Sequence, residues 1–137
     1  MKSAVVPMLR YSDAERAIAW LCEAFGFEVF LKVPGQAGRI EHARLTLEDR
    51  MIMLASLGRD GAFENRFRNP ADVGGVTQCT SMFVSDPDRI YQSAKAAGAR
   101  VIDEIADFHF GGRTFSCEDL ESHVWLFTSH DPWQKIW

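Results

Sequence analysis

Apolar residues recur at helical spacing in two stretches of the chain. Ala14, Ala17, Ile18, Leu21, Cys22 and Phe25 fall three and four residues apart, one stripe of a helix over about 14–25, and Gly26 follows as its stop. Ser12 and Glu15 ahead of it have the spacing of a capping box, and Cys22 is expected on the core side. The second stripe is Ile90, Ala94 and Ala97, opened by Asp86 as cap with Pro87 in the first turn, and stopped by Gly98. Around these helices, β-rich runs predict strands over 4–11, 27–33, 39–47 and 51–55 in the first half, and over 79–84, 100–105, 113–117 and 123–128 in the second.

Each half therefore reads β-α-β-β-β. The helical segments have matching lengths, 13 residues from Asp13 to Gly26 and 12 from Asp86 to Gly98. Two tandem copies inside one α+β domain over 1–137 are expected: a first module over about 3–56, a linker over 57–77, a second module over about 78–130 and a tail over 131–137. The linker has neither period, and a connection that long in a compact domain is more often functional or covered by a partner than idle.

Composition changes this picture little. A chain of 137 residues, 47% hydrophobic, buries roughly two thirds of its unfolded surface and needs neither disulfide nor metal to hold a core. Fifteen Lys and Arg against 19 Asp and Glu give a net charge of −4, which argues against a nucleic-acid partner. No stretch reaches the roughly 18 apolar residues of a membrane span, and no signal peptide opens the chain, so a soluble cytoplasmic protein without a membrane partner is expected. Cys22, Cys79 and Cys117 are odd in number and widely spaced, and read as buried free thiols.

With the paired modules stand three segments, VVPMLRYSDAERAIAWLCEAFGFEV, IEHARLTLEDRMIMLAS and TFSCEDLESHVWLFTSHDPW. In that order they resemble the vicinal oxygen chelate superfamily, which includes glyoxalase I, the bleomycin-resistance proteins, the fosfomycin-resistance enzymes and the extradiol dioxygenases. The resemblance covers essentially the whole chain. It implies eight strands curling into an open cup around a ligand. Metal-dependent members draw His, Glu and Gln ligands from the first and fourth strands of each module, and those points fall on Val6, Met53, Cys79 and Leu126. Val, Met and Leu offer no donor suited to zinc, nickel or iron, so no metal and no cofactor is expected. The closing motif Asp-x-Glu-Gly-His-x-Trp-x-Phe is matched by Asp119 to Phe127 except that Ser122 replaces Gly, which puts the turn geometry in question. His123 and Trp125 share the strand face opposite Leu126 and are expected to pack under a helix.

If the metal points mark the cup interior, strand parity sends Val6, Met8 and Arg10 inward while Val5, Pro7 and Leu9 face the helix. Met51, Met53 and Ala55, then Cys79, Ser81 and Phe83, then Val124, Leu126 and Thr128 point inward as well. Ala43 and Leu45 suit the helix side, which turns His42, Arg44 and Thr46 to the cup. The interior so drawn is apolar and rich in methionine, with Arg10, His42 and Arg44 at its polar margin, as small-molecule sites generally are. The two arginines offer forked donors to a carboxylate or phosphate if they converge, or else pair with an acid at the rim. His42 is a candidate general base without an identified electrophilic partner.

Phe63, Phe67, Phe108, Phe110, Trp133 and Trp137 lie in or beside predicted loops. Together they suggest a covered surface, and the resemblance implies a homodimer with Phe63, Phe67, Phe108 and Trp133 as pocket candidates. The expected function is metal-independent binding of a small, partly aromatic ligand, anionic if the arginines meet it. The alternatives are a glyoxalase- or dioxygenase-like enzyme, metal-dependent or working by acid and base, and an interaction subunit with a vestigial pocket.

Overall fold

A computed structural model describes residues 4–135. Trp137 and the expected start of the first module at residue 3 lie outside the described residues. The first module runs β1 (Met8–Tyr11), α1 (Ala14–Phe25), β2 (Glu28–Pro34), β3 (Ile40–Leu47) and β4 (Arg50–Ser56). A single-turn α2 (Pro70–Val73) follows in the linker, and the second module runs β5 (Thr80–Phe83), α3 (Pro87–Ala96), β6 (Arg100–Asp107), β7 (Arg113–Glu118) and β8 (Val124–Thr128). The strands form two four-stranded sheets, ordered β1-β4-β3-β2 and β5-β8-β7-β6. The first and fourth strands of each module pair in parallel and the others antiparallel, so the two halves repeat one topology and make an open cup of eight strands.

Strand alternation decides which side chains form the core. Ala43, Leu45, Ile52 and Leu54 on β3 and β4 are fully buried, as are Trp125 and Phe127 on β8, and α1 and α3 cover that side. Phe25 at the end of α1 packs its ring 5.1 Å from Trp125 and 4.7 Å from Phe127, so one core spans both modules. Each of the larger of these side chains contributes about 2 kcal/mol of burial. Two polar ties lock the helices together: Trp20 Nε1 donates to the Ala97 carbonyl at 2.9 Å, and Ser93 Oγ donates to the Ala24 carbonyl at 2.6 Å. Of the three thiols expected to be buried, Cys117 is buried and Cys22 is half-buried against this core, but Cys79 is exposed because it lies just ahead of the β5 ladder.

Several expectations change at the ends of elements. Asp13, not Ser12, caps α1 by accepting from the Arg16 amide, because the Ser12 hydroxyl is already used by Asn69. The ladder of the first strand begins only where the Met53 amide reaches the Pro7 carbonyl at 2.9 Å. Val5, ahead of that bond, is therefore fully exposed and does not face the helix as parity extended to residue 5 would have it. The linker is not featureless: it holds a 3-10 turn over Glu64–Arg66 and then α2, whose Asn69 cap accepts from the Ala71 amide. Asn followed by Pro is the usual opening of a helix, and one turn is too short to show periodicity. Among the described residues no helix is long and apolar enough to cross a membrane.

Candidate functional site

The face of the first sheet turned away from the helices is built by register. Met8 lies beside Met53 and Arg10 beside Ala55, while Arg44 lies between Leu31 and Met53, and Val33 is next to His42. All stand on the side opposite Ala43 and Leu45, as the sequence pattern requires. On the second sheet Ser81 and Phe83 pair with Leu126 and Thr128, and Ser116 flanks Leu126 from the other side. The result is a face of methionine, leucine and valine on the first sheet with Arg10, His42 and Arg44 set among them, and of Phe83 and Leu126 with Ser81, Ser116 and Thr128 on the second.

The two arginines expected at its margin have different fates. Arg10 is 4% exposed and gives its fork to Glu64, Nε to Oε2 and Nη2 to Oε1, both at 2.8 Å. Phe67 covers the guanidinium with its ring centre 4.5 Å away. Glu64 also accepts from Arg59 at 2.6 Å, and Arg59 reaches Glu41 at 2.8 Å. The 3-10 turn of the linker thus folds over Arg10 and spends it internally, the rim-pairing alternative with Glu64 as the acid. Hydrogen bonds from Arg10, with its charge and that of Arg59, hold the Glu64 carboxyl below the usual glutamate range despite its burial.

Arg44 instead donates its Nε to His42 Nε2 at 3.0 Å. Burial, and then the charges of Arg44, Arg10 and Arg59, lower the His42 pKa from the ordinary imidazole value, so the ring is neutral at pH 7 and acts as an acceptor. Its Nε2 lone pair is engaged, which weakens it as a general base.

Between β1 and the approach to β5 lies a cleft of about 570 Å³, lined by Met8, Arg10, Phe67, Val76, Cys79 and His123 among others. Of the expected site residues it brings together Met8, Arg10 and Cys79, with Phe67 from the expected aromatic candidates. Val6, His42, Arg44, Met53, Ser81, Phe108 and Leu126 do not line it. Phe108 sits in a cluster of its own, 5.6 Å from Phe110 and 5.1 Å from His130, on the turn between β6 and β7. Phe63 is edge-on to Phe67, and Trp133 is exposed.

The closing motif is a clamp between the modules. Asp119, 2% exposed, accepts from Tyr11 Oη at 2.6 Å, from Trp125 Nε1 at 3.0 Å and from the amides of Glu121 and His123. Glu121 accepts from the Ser12 and Asp13 amides at the start of α1 and from Asn69. His123 Nε2 lies 2.9 Å from the Arg10 carbonyl and its ring lies against Tyr11, so His123 is at the seam while Trp125 is fully buried. Ser122 takes the positive φ of 73° that the family's glycine would occupy. Glu64, Asn69, Asp119 and Glu121 were not singled out from the sequence, although the first two lie in a linker flagged as functional.

The residues at the family's metal points do not fit a metal. Val6 and Cys79 lie just ahead of their ladders, and the residues that stand in register with Met53 and Leu126 are Met8 and Ser81. In either register the donors are hydrocarbon, thioether, one thiol or one hydroxyl, a poor set for a hard or borderline cation. Among the described residues no group of three or more His, Cys, Asp or Glu is placed to hold an ion.

Comparison with known proteins agrees with the fold. The family model described as Glyoxalase/Bleomycin resistance protein/Dioxygenase superfamily matches residues 4–127. The protein Rv0887c of Mycobacterium tuberculosis is 29% identical over 128 residues, 91% of this chain and 73% of its own. The crystal structure of TioX from Micromonospora sp. ML1 is 32% identical with a TM-score of 0.71, covering 95% of this chain and 100% of that one. A fosfomycin resistance protein, FosX, from Listeria monocytogenes shares the fold at 12% identity and a TM-score of 0.69, over 96% of each chain.

Proposed function

The chain belongs to the Glyoxalase/Bleomycin resistance protein/Dioxygenase superfamily, and from that premise we propose that it is a metal-independent binding protein for a small, partly aromatic molecule. The observation that carries this reading is the donor set: Met53 and Leu126 stand where the family's metal-dependent members place ligands, beside Met8 and Ser81. The same face offers what a flat hydrophobic ligand needs, polarizable methionine side chains that repack around its shape.

The working unit is a homodimer in the cytoplasm, with no nucleic-acid partner. The chain exposes 8536 Å², whereas a compact monomer of its mass exposes about 7,200 Å². The surplus, about 1,300 Å², exceeds the roughly 800 Å² that one partner contributes to a standard interface and matches one side of a larger homodimer interface. β2 supports this, because Val29, Phe30, Leu31 and Val33 are all exposed on a single strand.

The test is a thermal-shift screen of aromatic compounds in EDTA, followed by product analysis of each binder after long incubation. Stabilisation with the compound recovered unchanged supports the reading. Product formation, with or without added metal, would overturn it in favour of an enzyme.

A further inference from the structure

We propose that Arg44 is the anion receptor of the cup, and that the ligand is a flat aromatic molecule carrying one forked oxyanion, a carboxylate or sulfonate, set against that guanidinium. The proposal rests on the binding reading above and adds the ligand's charge and its place.

Arg44 stands in the middle of β3 with Leu31 on one flank and Met53 on the other, half-buried among apolar side chains. A cation in such surroundings is costly unless something compensates it. Among the described residues none of the ion pairs includes Arg44. Of the acids at the rim, Glu41 pairs with Arg59, Glu64 with Arg10 and Arg59, and Glu48 accepts from the Ser85 amide. Among the described residues Arg44 has one hydrogen-bond partner, His42, a neutral acceptor that takes the Nε hydrogen at 3.0 Å. That bond fixes the plane of the guanidinium without neutralising it and leaves the two terminal amino groups to donate, the geometry that suits a bidentate oxyanion.

Arg10 shows the contrast. Its fork is closed on Glu64 and roofed by Phe67, so it offers no second anion site. The open fork of Arg44 seats one oxyanion, with the aromatic part of the ligand lying over Met8, Met51 and Met53.

The experiment uses two probes of nearly identical shape, 2-naphthoate and 2-naphthamide, titrated calorimetrically into the full chain in EDTA at pH 7.5. The expected result is that naphthoate binds at least about tenfold more tightly, since a charge-assisted fork discriminates by that much or more. Arg44→Met abolishes the preference, so that the two probes bind it with similar affinity. Arg44→Lys, which keeps the charge but loses the fork and the tie to His42, retains only a small part of it. Arg89→Met, removing an exposed arginine on α3, leaves it intact. Equal affinity of the two probes for the wild type, or a preference that survives in Arg44→Met, would overturn the proposal while the binding reading stands. Failure of both probes to bind the folded wild type would overturn the proposal together with the aromatic-binding reading.

Discussion

Replacing Asp119 by Ala leaves two donors, Tyr11 Oη and Trp125 Nε1, in a region where both residues are 0% exposed. Neither can turn to water, and each unsatisfied buried donor costs about 1–3 kcal/mol. The Glu121 and His123 amides lose the same carboxylate but are half-exposed, and water replaces part of what they lose. Because the groups share one acceptor their costs do not simply add, and the expected destabilisation is about 3–5 kcal/mol. For a chain of this size that lowers Tm by roughly 10–15 °C. The assay is urea unfolding followed by the fluorescence of the buried tryptophan, with differential scanning calorimetry as a second reading. Asp119→Asn keeps one acceptor oxygen and is expected to fall between wild type and the Ala variant. A loss below about 1 kcal/mol in Asp119→Ala would refute the view that the closing motif is a structural clamp.

Three further outcomes follow from particular residues. Ser122 holds a φ of 73° and receives a hydrogen bond from Arg100, so Ser122→Gly, weighing backbone relief against that exposed contact, is expected to stabilise by about 0.5 kcal/mol; a measured loss would show that the bond from Arg100 dominates. Cys79 is exposed, whereas burial pushes the Cys117 thiol up to about 12, so iodoacetamide at pH 8 should label Cys79 in the folded protein and spare Cys117 until urea is added; peptide mapping that finds rapid modification of Cys117 would contradict its burial. His42 and Glu64 both have lowered pKa values, so the unfolded chain takes up protons before the folded one does. Stability is therefore expected to fall as pH drops below the ordinary imidazole value and again below the usual glutamate range. His42→Gln should flatten the first decline, and an unchanged profile would remove His42 as its source.

Much of the fold was legible in the chain because it depends on local periodicity. The alternation of Ala43 and Leu45 against His42 and Arg44 is a property of neighbours along one strand, and the structure keeps that parity. The parallel pairing of β1 with β4 came from the repeat and its resemblance, since nothing in Met8 to Tyr11 alone specifies a partner. What was not legible depends on contacts between residues far apart in sequence. Glu64 is 54 residues from Arg10, and no spacing rule connects an acid in an aperiodic linker with an arginine on the first strand. Asp119 meets Tyr11 across 108 residues, so the motif was visible while its role in joining the modules was not. Val5 shows the opposite error: parity was extended past the point where Pro7 begins the ladder, and beyond that point no partner strand imposes a face.

The central claim is that this cup works without a metal. It is tested most directly by elemental analysis of the purified protein, run beside a thermal-shift titration with Zn²⁺, Ni²⁺, Mn²⁺ and Fe²⁺. The account predicts metal far below one equivalent per chain and no rise in Tm with any of the four ions. One equivalent of a tightly held ion, with stabilisation growing as RT ln(1 + [L]/Kd), would contradict it.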